Sequence, residues 1–371
     1  MTDFATVPEM VAALAEGRMI ILVDDEDREN EGDLVVAAER LTVEQLVQMN
    51  RLASGIITVP MPRVWLERLH IDPMVQKNAE SMNTAFTVTV DARRGTTTGS
   101  SGHDRVATIR RLADPEARAD DFVRPGHVNP LMVREGGVLK RPGHTEASAD
   151  LMVLAGLQPV AVLCEIMDDT GAMSRLGALE ELAQKLEIPL GTIADVVRYR
   201  LRNECLIGRA GAAEELSTPF GRFHVQRYES QVDAGRYTAF LHGFAPGEAN
   251  AQAPTLVRVH HASLTGDLLG LLGASEGGPP SRIRRAFEQV HEAGSGVILY
   301  IESDPRAIGS MDERNYGIGA QILVDLGLRR LRLLSDTPKR RAALDGFGLE
   351  VVDHVPLGLD AKVVPMRQLS P

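Results

Sequence analysis

The apolar positions of the chain form short blocks whose spacing switches between the helical and the extended period. Val7–Glu16 has apolar residues at helical spacing and is closed by Gly17, which predicts a helix with a glycine at its end. Met19–Val23 and Leu34–Ala38 are continuous apolar runs and predict two buried strands. Thr42-Val-Glu-Gln45 has the form of a capping box and opens a helix to about Ala53. Gly55–Val59, Phe86–Val90 and Val160–Ile166 predict further strands; Glu146–Ala155, Leu176–Leu186 and Ile193–Asn203 predict helices. Pro60–Pro73 and the polar run Gln76–Asn83 read as a surface loop or lid. From Glu204 to Leu216 the pattern weakens, which predicts a first domain over 1–204, a linker over 205–216 and a second domain over 217–371. There, strands at Val257–His260, Val297–Tyr300, Leu331–Leu334 and Leu349–Val355 alternate with helices at Ser281–Ala293 and Tyr316–Leu326. Both halves therefore predict α/β (α+β) folds.

Composition narrows the classes. The chain has 371 residues, 44% hydrophobic and 25% charged, as in an ordinary globular protein of two domains. Its formal net charge of −11 argues against general binding to nucleic acid or to an anionic membrane. Two cysteines, Cys164 and Cys205, exclude a disulfide scaffold and a cysteine-rich zinc site. The first residues have neither a basic segment nor an apolar core of a signal peptide, and no apolar run reaches the roughly 18 residues of a membrane span. These features point to the cytoplasm.

Between the first two strands lies the densest charge of the chain. Asp24, Asp25, Glu26, Asp27, Glu29, Glu31 and Asp33 stand against one cation, Arg28. A solvated acidic turn is one reading; a site for a hard divalent cation, which prefers carboxylate oxygen, is the other. Further on, Gly95–Gly102 offers glycines and hydroxyls that could face an anion. Arg124-Pro-Gly-His127 and Arg141-Pro-Gly-His144 repeat one pattern 17 residues apart, each placing a histidine after a glycine turn. Arg141, Thr145 and the N–H groups near Gly143, at a helix N-terminus, make a phosphate cradle. Glu165, ending an apolar strand, is a candidate for a carboxyl raised by desolvation. Metal, phosphate site and acid/base groups together suggest proton abstraction next to the carbonyl of a phosphorylated sugar.

Residues 5–203 resemble the 3,4-dihydroxy-2-butanone 4-phosphate synthase family of riboflavin biosynthesis. DDEDRENEGDLV, TVTVDA followed by GTTTG, DRVATIR, RPGHV, GGVL-R-GHTEA-DL and AVLCEI carry the resemblance. It implies an α/β sandwich acting as a homodimer, with sites near the subunit interface. It also implies conversion of D-ribulose 5-phosphate to 3,4-dihydroxy-2-butanone 4-phosphate and formate with Mg²⁺ or Mn²⁺, two ions per site. Carried over by motif, Glu29 and His144 are metal ligands and His127 and Glu165 are catalytic. Arg28, Glu29, Asp33, Arg141, Pro142, Gly143, His144, Thr145 and Glu165 contact the substrate. Pro142 stands where a glycine is common and removes a backbone N–H. Glu31 supports the metal through water, and Asp24–Asp27 orient and hydrate the loop.

Residues 217–371 resemble GTP cyclohydrolase II, often fused behind this synthase. Thr218-Pro-Phe-Gly221, Arg258-Val-His, Leu264-Thr-Gly-Asp267, Gly296–Tyr300, Arg306-Ala-Ile-Gly309, Asp312–Ile322 and Leu333–Lys339 fit its motifs. That family holds zinc on three cysteines, whose positions here are Ser263, Ala274 and Glu276. A hydroxyl, a methyl and one carboxylate do not replace three thiolates. Only Ser310-Met311 separates the Arg306 and Asp312 motifs, where the family has a longer stretch. The expectation is a degenerate cyclohydrolase without zinc, in which Asp312 and Arg314 survive without a task. A bifunctional enzyme and a regulatory or binding module are the alternatives.

Overall fold

The structure is a computed structural model and describes residues 4–26, 28–232, 235–263, 267, 282–302, 313–336, 344 and 347–358. Of the residues singled out above, Asp27, residues 264–266, Ala274, Glu276, Ser281, residues 306–312 and residues 337–339 lie outside this set, as do the side chains of residues 313–316. The chain divides into two compact units, Met1–Arg200 and Leu201–Pro371.

The first unit is built on a seven-stranded mixed sheet. Its strands are β1 (Ile20–Val23), β2 (Gly32–Ala37), β3 (Thr58–Pro62), β4 (Val90–Ala92), β5 (Phe122–Val133), β6 (Ala161–Glu165) and β7 (Leu190–Thr192), in the order β4-β5-β3-β6-β2-β1-β7. Every residue of β1 and β2 is buried. Continuous rather than alternating apolar runs mark strands covered on both faces, and helices supply both covers. Ile21, Val23, Leu34 and Val36 join a core with α2 (Val43–Leu52), α4 (Gly102–Leu112) and α6 (Leu176–Leu186). α1 (Val7–Ala15) packs against β1, β2 and α5 (His144–Leu154), and α5 against β2, β3 and β6. The capping box of Thr42 and Gln45 forms as the sequence predicts, and Thr6 and Glu9 form a second one.

Several local expectations change. β3 lies three residues later than expected, and α3 (Arg63–Arg68) occupies part of the predicted loop. Phe86–Val90 makes only isolated bridges, to Leu131 for Phe86 and to Pro73 for Thr87, before β4 begins at Val90. The 76–83 run has no regular element. Its turn is built by Glu80, whose carboxylate accepts the Met82 and Thr84 N–H groups at 2.8 and 2.7 Å.

The second unit carries a mixed sheet of eight strands. β12 (Thr255–His261), β13 (Gly296–Glu302), β14 (Arg330–Leu334) and β15 (Glu350–Val355) are the parallel part and match the sequence pattern closely. β8 (Ile207–Arg209), β9 (Glu214–Thr218), β10 (Gly221–Ser230) and β11 (Arg236–His242) form the antiparallel part. Two of these strands, β8 and most of β9, fall in the stretch read as a linker. β9 is exposed along nearly all its length and joins the sheet through β10. An edge strand with no buried face carries no hydrophobic pattern for sequence reading to detect.

Candidate functional site

The acidic stretch connects β1 to β2, whose antiparallel pairing sets Leu22 opposite Asp33. Asp24 organises it from inside. Its nearly fully buried carboxylate accepts from Arg28 Nη1 (2.7 Å), the Glu29 N–H (3.1 Å) and the Glu31 N–H (2.9 Å). Asp24 thus orients the loop but does not hydrate it. Arg28 Nη1 also reaches Glu29 Oε2 at 2.7 Å. A second cation serves the loop: Arg175 donates to the carbonyls of Glu29 and Asn30. Arg175 lies 146 positions from Glu29, so sequence proximity gives no hint of it.

Strand register brings the remaining groups together. Asp33 pairs with Leu22 on one side and with Glu165 on the other, so Leu22, Asp33 and Glu165 form one row across β1, β2 and β6. His144, the first residue of α5, docks on this row: its Nε2 lies 3.2 Å from the Leu22 carbonyl oxygen. In the neutral imidazole, with Nε2–H donating that bond, the lone pair is on Nδ1, which lies 3.6 Å from Glu29 Oε2. Glu165 Oε2 accepts the Ile56 N–H at 2.8 Å, and a Cβ on Gly55 would lie 2.5 Å from that oxygen. Gly55 is therefore needed for the close approach of its backbone to Glu165.

Electrostatics distinguish these carboxyls. Burial and the neighbouring charges of Glu165, Glu29 and Glu31 push Asp33 up to about 7, with His144 opposing. Asp33 Oδ1 is buried and has no hydrogen-bond partner. Burial and the Glu29 charge also raise Glu31. Burial would raise Glu29 too, but His144 and Arg28 outweigh it and hold Glu29 below the ordinary carboxylate range. Burial works against a charged His144, yet Asp33, Glu29 and Asp24 bring it up to about 9. Ligand atoms of Asp24, Glu29 and His144 lie within 4.8 Å of one another. Carboxylate oxygens, one imidazole and an unpartnered buried carboxyl oxygen beside them fit a hard divalent cation. Asp24 is the member of this trio that the sequence motifs do not assign to a metal.

α5 opens at Gly143 without a side-chain cap, which leaves its first amide groups free of such a partner. Over that opening lie two guanidinium groups. A Cβ on Gly143 would collide with Arg141 Nη1 and lie 3.0 Å from Arg28 Nη2. Arg141 is held by Glu146 Oε2 at 2.8 Å, the Met82 carbonyl at 3.2 Å and the Thr84 hydroxyl at 3.2 Å. Thr145 is buried beside them. The glycine-hydroxyl loop at 95–102 is different. Its Thr97 and Gly99 N–H groups and the Thr97 hydroxyl all go to the Asp104 carboxylate, so the anion it faces is a residue of its own helix.

His127 sits within β5 and not after a turn. Asp91 clamps it twice, accepting the His127 N–H at 2.9 Å on Oδ1 and lying 2.7 Å from Nδ1 with Oδ2. Gly99 packs so closely on this pair that a Cβ there would collide with both side chains. The pair forms a second cluster, with no hydrogen bond or ion pair to Glu29, His144 or Glu165 among the described residues. Asp91 lies in the TVTVDA motif, but its role becomes visible only through β4–β5 pairing.

Comparison with known proteins decides the family. The 3,4-dihydroxy-2-butanone 4-phosphate synthase profile matches residues 8–199. The chain belongs to that family. The GTP cyclohydrolase II profile matches residues 209–313 and 309–356. The bifunctional riboflavin biosynthesis protein RIBA 1, chloroplastic, of Arabidopsis thaliana is 43% identical over 95% of this chain and 69% of its own length. Riboflavin biosynthesis protein RibBA of Nocardia farcinica is 42% identical over all of this chain and 94% of its own. Among solved structures, RibBX, a two-domain synthase of this family from A. baumannii, superposes with a TM-score of 0.79 at 36% identity, covering 94% of this chain and 99% of its own. A synthase in complex with two magnesium ions gives 0.52 at 39% identity, covering 54% of this chain and 98% of its own. The synthase family's step is the lyase step of riboflavin biosynthesis. No helix among the described residues is long and apolar enough to cross a membrane.

Proposed function

We propose that the first unit converts D-ribulose 5-phosphate to 3,4-dihydroxy-2-butanone 4-phosphate and formate. The observation that carries this reading is the convergence at the start of α5: Glu29 and His144 face each other while Arg28 and Arg141 overhang Gly143. The sugar phosphate is held by the two guanidiniums, the Thr145 hydroxyl and the amides that open α5, an arrangement suited to a dianion. Pro142 has no N–H and so adds no backbone donor to this cradle. Glu29 and His144 would hold Mg²⁺, with Mn²⁺ as the other candidate and Asp24 and Glu31 at the margin of the site. A divalent cation held there would supply Lewis-acid polarisation for the sugar carbonyl. Asp33 and Glu165 flank the reacting carbons from adjacent strands. A carboxyl near 7 exchanges protons readily at neutral pH, which suits Asp33 to proton transfer within the row. His127, oriented by Asp91, is the further acid/base group, and the chain works as a homodimer in the cytoplasm.

The second unit, on this reading, lacks cyclohydrolase activity. The bifunctional names of relatives favour two activities, but no cysteine follows Cys205 in this chain. Three thiolates cannot be assembled from Ser263, Ala274 and Glu276.

The test is direct. Purified full-length chain with ribulose 5-phosphate and Mg²⁺ releases formate, and EDTA stops the release. No formate from wild type, or a Glu29→Ala variant that turns over like wild type, overturns the synthase assignment.

A further inference from the structure

One motif shared with the family has no role so far: the glycines and the aspartate of GGVL-R-GHTEA-DL, here Gly136, Gly137 and Asp150. The structure joins them to Arg200, on α7 (Ile193–Asn203). Asp150 Oδ2 accepts from Arg200 Nη1 at 2.7 Å and from the Val138 N–H at 2.8 Å. The same Nη1 donates to the Gly136 carbonyl at 3.1 Å. Gly136 and Gly137 both take positive φ, 91° and 60°, and a Cβ on Gly137 would collide with the Asp150 carboxylate and lie 2.7 Å from Arg200 Nη1. Only glycine combines that backbone with that close approach. The turn then hands its position to the cradle, because the Arg141 N–H bonds the Gly137 carbonyl at 3.1 Å and the Gly143 N–H bonds the Arg141 carbonyl at 2.8 Å.

We infer that Asp150 and Arg200 are a positioning pair for the phosphate cradle: they fix the Gly136–Val138 turn from which Arg141 is hung, and so set where its guanidinium meets the substrate phosphate. The two side chains are mostly buried, at 14% and 15% exposure, so solvent screens the pair little. Neither touches the reacting carbons on the proposed reading. Their effect falls on binding of the phosphate end, and only indirectly on turnover. Binding set by a hung arginine is sensitive to small displacements, since a guanidinium bonds an anion through donors in fixed geometry.

The inference rests on the synthase reading, and the test separates the two. In the full chain with Mg²⁺, Arg200→Ala and Asp150→Asn raise KM for ribulose 5-phosphate by about fivefold or more, with kcat changed less than about twofold. Arg200→Lys, which keeps one charged donor, recovers part of the loss. The dissociation constant for inorganic phosphate, measured by calorimetry on the same proteins, rises in parallel. A purely structural role would instead lower the amount of folded enzyme, and so the apparent kcat, at unchanged KM. Unchanged KM and phosphate affinity in folded Arg200→Ala and Asp150→Asn proteins, or a fall in kcat alone, overturns the inference. Wild type that binds phosphate without turning over ribulose 5-phosphate sinks the synthase reading and leaves the phosphate measurement to judge the pair.

Discussion

At the residue scale, the two repeated Arg-Pro-Gly-His patterns end in histidines with different surroundings. His144 is buried against Leu22 and faces Glu29, whereas His127 is half exposed and held by Asp91. His144→Ala is expected to lose both Mg²⁺ affinity and turnover. His127→Ala keeps metal affinity and loses turnover by about 10²- to 10⁴-fold, the range for a general acid or base. Metal titration alongside formate release checks this, and equal metal affinity in the two variants would undo the assignment. The thiols differ just as sharply. Cys164 is fully buried, and burial together with the Glu165 and Asp33 charges pushes it up to about 12, whereas Cys205 is exposed. A thiol reagent at pH 8 should therefore label one cysteine in the native chain and two after denaturation. Rapid labelling of both in native protein would contradict the burial. Glu29, His144, Arg28 and Arg141 were legible because the groups that surround them lie in recognisable motifs. Arg175, Asp91 and Arg200 were not, because each acts on a partner far away in sequence.

At the element scale, the site depends on β-strand register. Leu22, Asp33 and Glu165 share a row only because β1, β2 and β6 pair as they do; a slip of one residue would turn Asp33 to the opposite face. The short link before β3 closes the far end of this row through Gly55. Gly55→Ala places a methyl 2.5 Å from Glu165 Oε2 and from its carbonyl oxygen, and something must move. The expected result is a loss of turnover on the order of 10- to 100-fold, as for an ångström-scale misplacement of a reacting group. Circular dichroism should show the fold retained. Wild-type kinetics in this variant would mean that the Glu165 position is not critical. The helix ends tell the same story from the sequence side. Capping boxes at Thr6 and Thr42 follow from local chemistry, and both form. The Gly95–Gly102 loop illustrates the opposite case, because its donors satisfy Asp104 within the same segment.

At the scale of the whole molecule, the two units carry different burdens. In the second, buried His260 lies 2.8 Å from Asp267 Oδ1 through Nε2 and stacks on Tyr300, whose hydroxyl also donates to Asp267. Its Nδ1 is buried without a hydrogen-bond partner. Burial lowers the His260 pKa and outweighs Asp267, with Arg258 and Arg282 adding to the lowering. The unfolded chain then binds a proton more readily than the folded one. This unit should lose stability as pH falls through about 6.5, the ordinary histidine value, and regain it on returning to pH 8. Thermal unfolding at pH 8 and pH 5.5 checks the sign, and a His260→Asn variant should lose part of the difference. A stability that rises on acidification with His260 intact would refute it. For activity, the full chain is expected to purify without stoichiometric zinc and to release no pyrophosphate from GTP; either zinc or pyrophosphate would restore a bifunctional reading. The sequence by itself determined where most helices and buried strands lie, that motifs of both families are present in order, and that no cysteine follows Cys205, because periodicity, capping and composition are local properties. Only the tertiary structure decided that Leu22, Asp33 and Glu165 form one row, that Arg175 joins the acidic loop, and that Asp91 holds His127. Those depend on strand register and on side chains meeting across more than thirty positions of chain, and packing of the whole unit sets both.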